Sequence, residues 1–246
     1  MMYKDRNLIH ISETESTNQY LQILAQSEKL ADETVVLTDI QTAGRGQMGN
    51  AWESEPYKNL TFSILYYPKQ LPANQPFVIA ELAALCVKRT LDKYVSNIKV
   101  KWPNDIYWND KKICGILIEN SLSEGFISQS VIGAGVNLNQ EKFVSNATNP
   151  VSLKQITGKT YDRLEVLKVL QATFHEIRKL LELNGSACVH REYEESLYRL
   201  GDYHLYRDKN GDFEARIHHV ELSGYLVLER RNGEFSKYAF KEVSYL

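Results

Sequence analysis

Three glycines, Gly44, Gly46 and Gly49, lie between two strand-like runs, and no helix follows them. That missing helix is the strongest constraint on the fold. The spacing Gly44-x-Gly46-x-x-Gly49 matches the dinucleotide fingerprint letter for letter. The fingerprint works, however, by setting a pyrophosphate at the N-terminus of a helix that begins on the glycines. Here Thr34-Val35-Val36-Leu37-Thr38 reads as a strand before the glycines. After Asn50-Ala51-Trp52 the chain passes Pro56 and enters Leu60-Thr61-Phe62-Ser63-Ile64-Leu65, a second strand pattern. The Gly-Lys-Ser/Thr of a P-loop is also absent. A doubly wound nucleotide-binding unit is therefore excluded, and a strand–loop–strand unit remains. Its glycines permit positive φ and close backbone approach to a ligand. Arg45 among them carries the fork that matches a carboxylate or phosphate. The spacing fits both a loop that closes over a small anion and a plain glycine-rich turn.

Helices and strands then alternate irregularly. Ser16-Thr17-Asn18 reads as the capped start of an amphipathic helix over Gln19–Ala25. Pro76 opens a helix from Phe77 to about Tyr94. Ile98 to Trp108 is strand-like but interrupted by Pro103, and Asn109-Asp110 turns the chain into a strand over Ile113–Glu119. Val131–Leu138 is a strand spaced by Gly133 and Gly135, where something packs or binds close to the backbone. Arg163–Leu183 carries a strong helical stripe and Val189–Leu200 a shorter helix. Past Gly201 the pattern changes to short strands at 203–206, 214–217, 225–228 and 238–240, with Asn210-Gly211, Ser223-Gly224 and Asn232-Gly233 as turns. A domain boundary is expected near residue 200. The whole reads as α+β, a sheet with helices packed on it followed by a small barrel of strands.

Composition excludes several function classes. The net charge is −2, so a general polyanion-binding surface is not expected. Cys86, Cys114 and Cys188 are odd in number, far apart and without Cys-x-x-Cys, which argues for a reducing compartment and against a disulfide framework or a cysteine zinc site. The adjacent pair His218-His219 reads as a strand pair with one exposed ring. The N-terminus lacks an apolar h-region, and no apolar run reaches the ~18 residues a membrane span needs. A cytoplasmic protein off the membrane is expected.

A second dense segment is Lys101-Trp102-Pro103-Asn104-Asp105, followed by Lys112-x-x-Gly115-Ile116-Leu117. Pro103 stiffens the turn that presents Asn104 and Asp105. Read alone, Lys101-Trp102 is a surface lysine beside a core aromatic. Lys112 beside a hairpin turn is either a solvated charge or an ammonium aimed into a pocket.

Five motifs in one order carry a resemblance. They are Glu15-Ser16-Thr17-Asn18, Gln41-Thr42-Ala43-Gly44-Arg45-Gly46, Lys101-Trp102-Pro103-Asn104-Asp105, Lys112-x-x-Gly115 and Gly133-x-Gly135-x-Asn137. Together they resemble the biotin protein ligases over most of residues 10 to 140. The C-terminal strands resemble, more weakly, that family's SH3-like barrel.

The resemblance implies a mixed, mostly antiparallel sheet of the class II synthetase-like kind, with a ligase domain over residues 1–200 and the barrel over 201–246. It implies activation of biotin by MgATP to biotinyl-5′-adenylate, then transfer to a lysine of a biotin carboxyl carrier protein. By motif, Ser16, Thr17 and Gln41, with Asn18 nearby, would bond the ureido ring, a neutral polar group that needs neutral partners when buried. Arg45, with Gly44 and the backbone of Gly46 and Gln47, would hold the carboxylate and then the adenylate phosphate. Lys112 would neutralise charge developing at the carboxylate and α-phosphate. Gly115 and Gly133 would let the strands flank the biotin ring, with Asn104 and Asn137 toward adenine or ribose. Trp52 would cover the site or anchor the loop. Asp105 would orient the acceptor lysine, assist its deprotonation or help place Mg²⁺.

Where many members of that family carry loop arginines, this chain has Gln47, Met48 and Asn50, which puts more weight on Arg45 and Lys112. The Ser16-Thr17-Asn18 motif begins too near the N-terminus to leave room for a preceding helix-turn-helix, so DNA is not an expected partner. Either a monomer or a homodimer fits. Lipoate ligation, which shares the adenylate chemistry, and a non-catalytic biotin-binding regulator are the rival readings.

Overall fold

The structure, a computed structural model, describes residues 7–144 and 149–246. The larger sheet comprises β1 (Leu8–Thr14), β2 (Val35–Gln41), β3 (Leu60–Tyr66), β4 (Ile98–Lys101), β5 (Asp105–Trp108), β6 (Lys111–Ser123) and β7 (Phe126–Val136), in the spatial order β1-β2-β3-β7-β6-β5-β4. Strands β1 and β2 run parallel, and the other neighbouring pairs are antiparallel. The mixed, mostly antiparallel α+β class expected from the sequence is what the chain forms.

Strand β3 shows how the sequence divides the two faces. Leu60, Phe62, Ile64 and Tyr66 join the main core, with residues of α2 (Phe77–Leu91) and α4 (Arg163–Asn184). Tyr66 meets Phe174 of α4 edge-on at 5.8 Å between ring centres. Fully burying side chains such as Leu82, Leu85 and Phe174 contributes roughly 1.5–3 kcal/mol each. The alternate residues of β3 point the other way. Leu65 packs with Leu21 of α1 (Thr17–Ser27), Val36 and Val131 in a small second core, whereas Thr61 and Ser63 are buried polar groups on that face. One face of the sheet is thus apolar and thick. The other carries that small apolar patch beside polar groups and glycines, with α1 packed on it.

Element ends differ from the expected ones for local reasons. Helix α2 stops at Leu91, short of Tyr94, because Lys93 N–H and Tyr94 N–H bond back only three residues, to Thr90 O and Leu91 O, and tighten the last turn. Ser16 sits at the N-cap of α1 without a capping side-chain bond. Thr17 N–H donates instead to Gln41 Oε1 at 3.0 Å, so strand β2 supplies the acceptor. Strand β1 and helix α3 (Leu153–Thr157), the latter held by a Ser152/Gln155 capping box, were not expected from the pattern.

Helix α5 (Ser186–Glu195) leads into a five-stranded antiparallel sheet. Its strands are β8 (His204–Asp208), β9 (Gly211–Val220), β10 (Leu226–Arg230), β11 (Phe235–Tyr238) and β12 (Ser244–Tyr245), in the order β11-β10-β9-β8-β12. The strand expected at 238–240 lies earlier, because Phe240 leaves the sheet to pack edge-on against Trp102 at 6.2 Å. Hydrogen bonds tie this sheet to the β4–β5 turn and to α5. Trp102 Nε1–H donates to Gly224 O at 3.0 Å, and Val220 N–H donates to Glu194 Oε1 at 2.8 Å.

Helices α2 and α5 share a deeply buried charge contact. Glu81, 1% exposed, lies 2.5 Å from His190 Nδ1. Burial pushes the Glu81 carboxyl up to about 7, against the lowering effect of His190. The folded state therefore holds this proton more tightly than the unfolded chain. The resulting stability is fully present below the ordinary carboxylate value of 4.5 and is lost as pH rises through about 7. Thermal melts of Glu81→Gln, set against the unaltered protein, should differ by an amount that changes by about 1–3 kcal/mol between pH 4.5 and 8. Parallel pH profiles for the two proteins would show that Glu81 does not titrate there.

Candidate active site

The polar face of the larger sheet opens into a cavity of about 900 Å³. Ser16, Thr17, Asn18, Gln41, Arg45, Gly46, Gln47, Trp52, Asn104, Asp105, Lys112, Gly115 and Gly133 all line it. Residues from α1, β2, the glycine loop, the β4–β5 turn, β6 and β7 thus converge on one space. A smaller hollow of about 340 Å³, beside His218, His219 and Phe235, lies on the C-terminal sheet away from these residues.

The end nearest α1 is neutral. Gln41 Oε1 accepts from Thr17 N–H and, at 3.3 Å, from Thr17 Oγ1–H. This fixes which way the Gln41 amide faces. Ser63 Oγ lies 2.8 Å from Thr17 Oγ1 and 2.6 Å from Asn18 Oδ1. Asn18 Nδ2 donates to Leu117 O at 3.3 Å and Glu119 Oε2 at 2.8 Å. Both amide hydrogens of Asn18 are therefore engaged within the protein, and its role is to hold the wall.

Positive side chains stand at two separate places, Lys112 at the start of β6 and Arg45 beside Glu119 seven residues further along it. Lys112 Nζ lies 2.7 Å from Asp105 Oδ2, and Arg45 Nη2 lies 3.4 Å from Glu119 Oε2. Lys112 is thus an ammonium facing the cavity and not merely a solvated turn residue. Lys101 also departs from the simple expectation of a surface lysine. It lines the cavity, donates to Tyr107 Oη at 3.2 Å, and lies 4.9 Å from the ring centres of both Tyr107 and Tyr245. Burial pulls its ammonium below the usual lysine range, with Asp105 opposing.

The glycine loop is a folded hairpin. Arg45 bridges Ala51, Gly46 N–H donates to Asn50 O, Trp52 N–H donates to Gly44 O, and a 3₁₀ turn spans Gln47–Gly49. Gly44 does not line the cavity. It makes room: a Cβ there would sit 2.4 Å from Trp52 O and 2.9 Å from Gln41 Nε2. Gln47 Nε2–H reaches across to Asn104 Oδ1 at 3.2 Å. The Trp52 ring lies flat over β6 and β7, where a Cβ on Gly115 would come within 2.7 Å of it and one on Gly135 within 2.1 Å. Its buried Nε1–H has no acceptor. Gly133 has a different neighbour, because a Cβ there would meet Asn18 Oδ1 at 2.1 Å.

Besides Gly44, one sequence candidate does not line the cavity. Asn137 is 2% exposed and outside the cavity lining, and its Nδ2–H donates to Val151 O at 3.2 Å. Residues the sequence did not nominate complete the wall: Lys101, and from the C-terminal segment Phe240, Lys241, Val243, Ser244 and Tyr245. No local signal marks these, since their approach depends on docking of the C-terminal sheet.

With this geometry in place, similarity to known proteins is informative. The chain is 29% identical over 224 residues to the biotin–[acetyl-CoA-carboxylase] ligase of Paracoccus denitrificans, covering 89% of this chain and 92% of that one. It is 29% identical over 227 residues to the bifunctional ligase/repressor BirA of Bacillus subtilis, covering 87% and 70% respectively. Its fold is similar to the structure of the biotin protein ligase from Aquifex aeolicus in complex with biotin and ATP, with a TM-score of 0.79, 26% identity, and coverage of 97% and 98%. Residues 11–137, just over half of the 246, match the biotin/lipoate A/B protein ligase family, and the chain belongs to that family.

Proposed function

We propose that this protein activates biotin with ATP to biotinyl-5′-AMP and transfers the biotinyl group to a lysine of a biotin carboxyl carrier protein. The observation that carries the reading is the two-ended cavity. Thr17 and Gln41 offer neutral hydrogen-bonding groups at one end, with Arg45 held beside Asn18 by Glu119, and Lys112 offers positive charge further along β6. Biotin has a neutral polar ring at one end and a carboxylate at the other.

In the first step a carboxylate oxygen attacks the α-phosphorus of ATP and pyrophosphate leaves. In this reading Lys112, and Arg45 once it leaves Glu119, hold the carboxylate and then neutralise the charge that accumulates between it and the α-phosphate. In the second step the acceptor amine attacks the acyl carbon, AMP leaves with the bonding electrons, and the amine loses a proton as the amide forms. An acyl-adenylate hydrolyses if water reaches it, so the Gly44–Trp52 hairpin must seal the cavity between the two steps. Asp105 is the carboxylate among the cavity-lining residues, and its pairing with Lys112 can be exchanged for the incoming amine.

Among the described residues, no group of three or more histidine, cysteine, aspartate or glutamate side chains is arranged to hold a metal ion. Mg²⁺ expected with ATP is commonly held by one or two carboxylates and the phosphates themselves, and no step is assigned to it. The division into a ligase domain over 1–200 and a C-terminal module over 201–246, a cytoplasmic location and a carrier protein as partner belong to the same proposal.

Labelled pyrophosphate should exchange into ATP when biotin is present and not when lipoate replaces it. Equal exchange with the two acids would overturn the assignment to biotin. Biotin binding without any exchange would identify a binding module instead of a ligase.

A further inference from the structure

Glu119 lies on β6, two residues beyond Leu117 and four beyond Gly115, and both of those line the cavity. Side chains two apart on a strand share a face, so Glu119 stands at the cavity rim. One of its oxygens, Oε2, takes two donors. Asn18 Nδ2–H lies at 2.8 Å and Arg45 Nη2–H at 3.4 Å. The first contact belongs to the buried wall, where Asn18 is 3% exposed and is also held by Ser63 and Leu117. The second reaches out to the loop, where the Arg45 side chain is 46% exposed. A single carboxylate therefore joins the buried wall at Asn18 to the half-exposed cation of the glycine hairpin.

We propose that Glu119 is a positioning residue that holds Arg45 in the ligand-free protein, and that an anionic ligand binds by exchanging with it. The inference rests on the ligase reading above. The loop arginine then leaves Glu119 only for another negative group. A biotin carboxylate or an adenylate phosphate can compete for the guanidinium. The neutral amide formed by transfer cannot, and Arg45 returns to Glu119 as product leaves. Closure of the hairpin is in this way conditional on ligand charge.

The test compares biotin with biotinamide, its neutral amide, by titration calorimetry on the unaltered protein, Glu119→Gln, Arg45→Gln and the double variant. Glutamine keeps an oxygen for Asn18 and removes the charge that competes for Arg45. Half-exposed ion pairs are weak, so Glu119→Gln should tighten biotin by about two- to fivefold at low salt. The gain should shrink at high salt. Biotinamide affinity should not change, and the gain for biotin should vanish when Arg45 is already glutamine. Weakening of both ligands alike would reduce Glu119 to a support for Asn18 and overturn the inference, and so would no change in either. Failure of the unaltered protein to bind biotin at all would defeat the ligase reading itself, and this inference with it.

Discussion

Replacing Lys112 by alanine should lower the biotin-dependent exchange rate by roughly 100- to 1,000-fold, the range typical for removing one preorganised charge from a developing anion. The position is well fixed. Lys112 N–H donates to Asn149 O and Val151 N–H donates to Lys112 O, so a neighbouring chain segment clamps the backbone on both sides. The ammonium lies 2.7 Å from Asp105 and 5.7 Å from the centre of the Trp52 ring. Loss of Lys112 should therefore reduce the rate far more than it weakens biotin binding, because its charge matters most where negative charge accumulates. Asp105 would be left unpaired, but it is one-third exposed and water can solvate it, so stability should change by no more than about 1 kcal/mol. Lys112→Arg should rescue only partly, since a planar fork does not replace a compact ammonium. A melting temperature near that of the unaltered protein, with exchange at the unaltered rate, would remove Lys112 from the chemistry.

The residues that a sequence can mark are those whose neighbours in the chain share their purpose. The glycine hairpin and the Lys101–Asp105 turn are short segments in which backbone freedom, stiffness and polar side chains occur together, and both reach the cavity. The stripe of α4 was legible because its apolar period is local, and the strands around Gly133 because alternation is. What the chain does not mark locally is which distant surface closes over a site. Tyr245 flanks Lys101 only once the C-terminal sheet has docked through Trp102 and Glu194. Glu119 ends an apolar run like many surface glutamates, and its importance comes from Asn18 and Arg45, which lie far away in the chain. Asn137 shows the opposite failure. It stands in a motif-like position, yet its amide turns to the loop before α3 because Val151 O needs a donor there. Strand β1 carries little signal in the sequence because, at the edge of the sheet, none of its residues is fully buried and its alternation is weak.

Alanine at Gly133 and alanine at Gly135 should fail in different ways, although the two glycines sit on one face of one strand. Neither has a positive φ, so a methyl group strains no backbone at either place. What differs is the neighbour. At Gly133 the new Cβ would be 2.1 Å from Asn18 Oδ1. Asn18 is buried and tied to Ser63, Leu117 and Glu119, so it cannot move without leaving polar groups unpaired. Overpacking of about 1–3 kcal/mol and an unsatisfied buried group of about 1–3 kcal/mol then combine. Gly133→Ala should lose roughly 3 kcal/mol and melt about 6–12 °C lower. At Gly135 the Cβ would come 2.1 Å from Trp52 Nε1. Trp52 belongs to the hairpin and its Nε1–H has no acceptor, so its ring can shift without breaking a hydrogen bond of its own side chain. Gly135→Ala should therefore keep its melting temperature to within about 1 kcal/mol of stability, while a displaced loop costs on the order of 100-fold in adenylation. Calorimetric melts and pyrophosphate exchange on the two variants separate these effects. Equal loss of stability in both would mean that Trp52 is as fixed as Asn18, and the hairpin could not then serve as the cover that opens and closes over the adenylate.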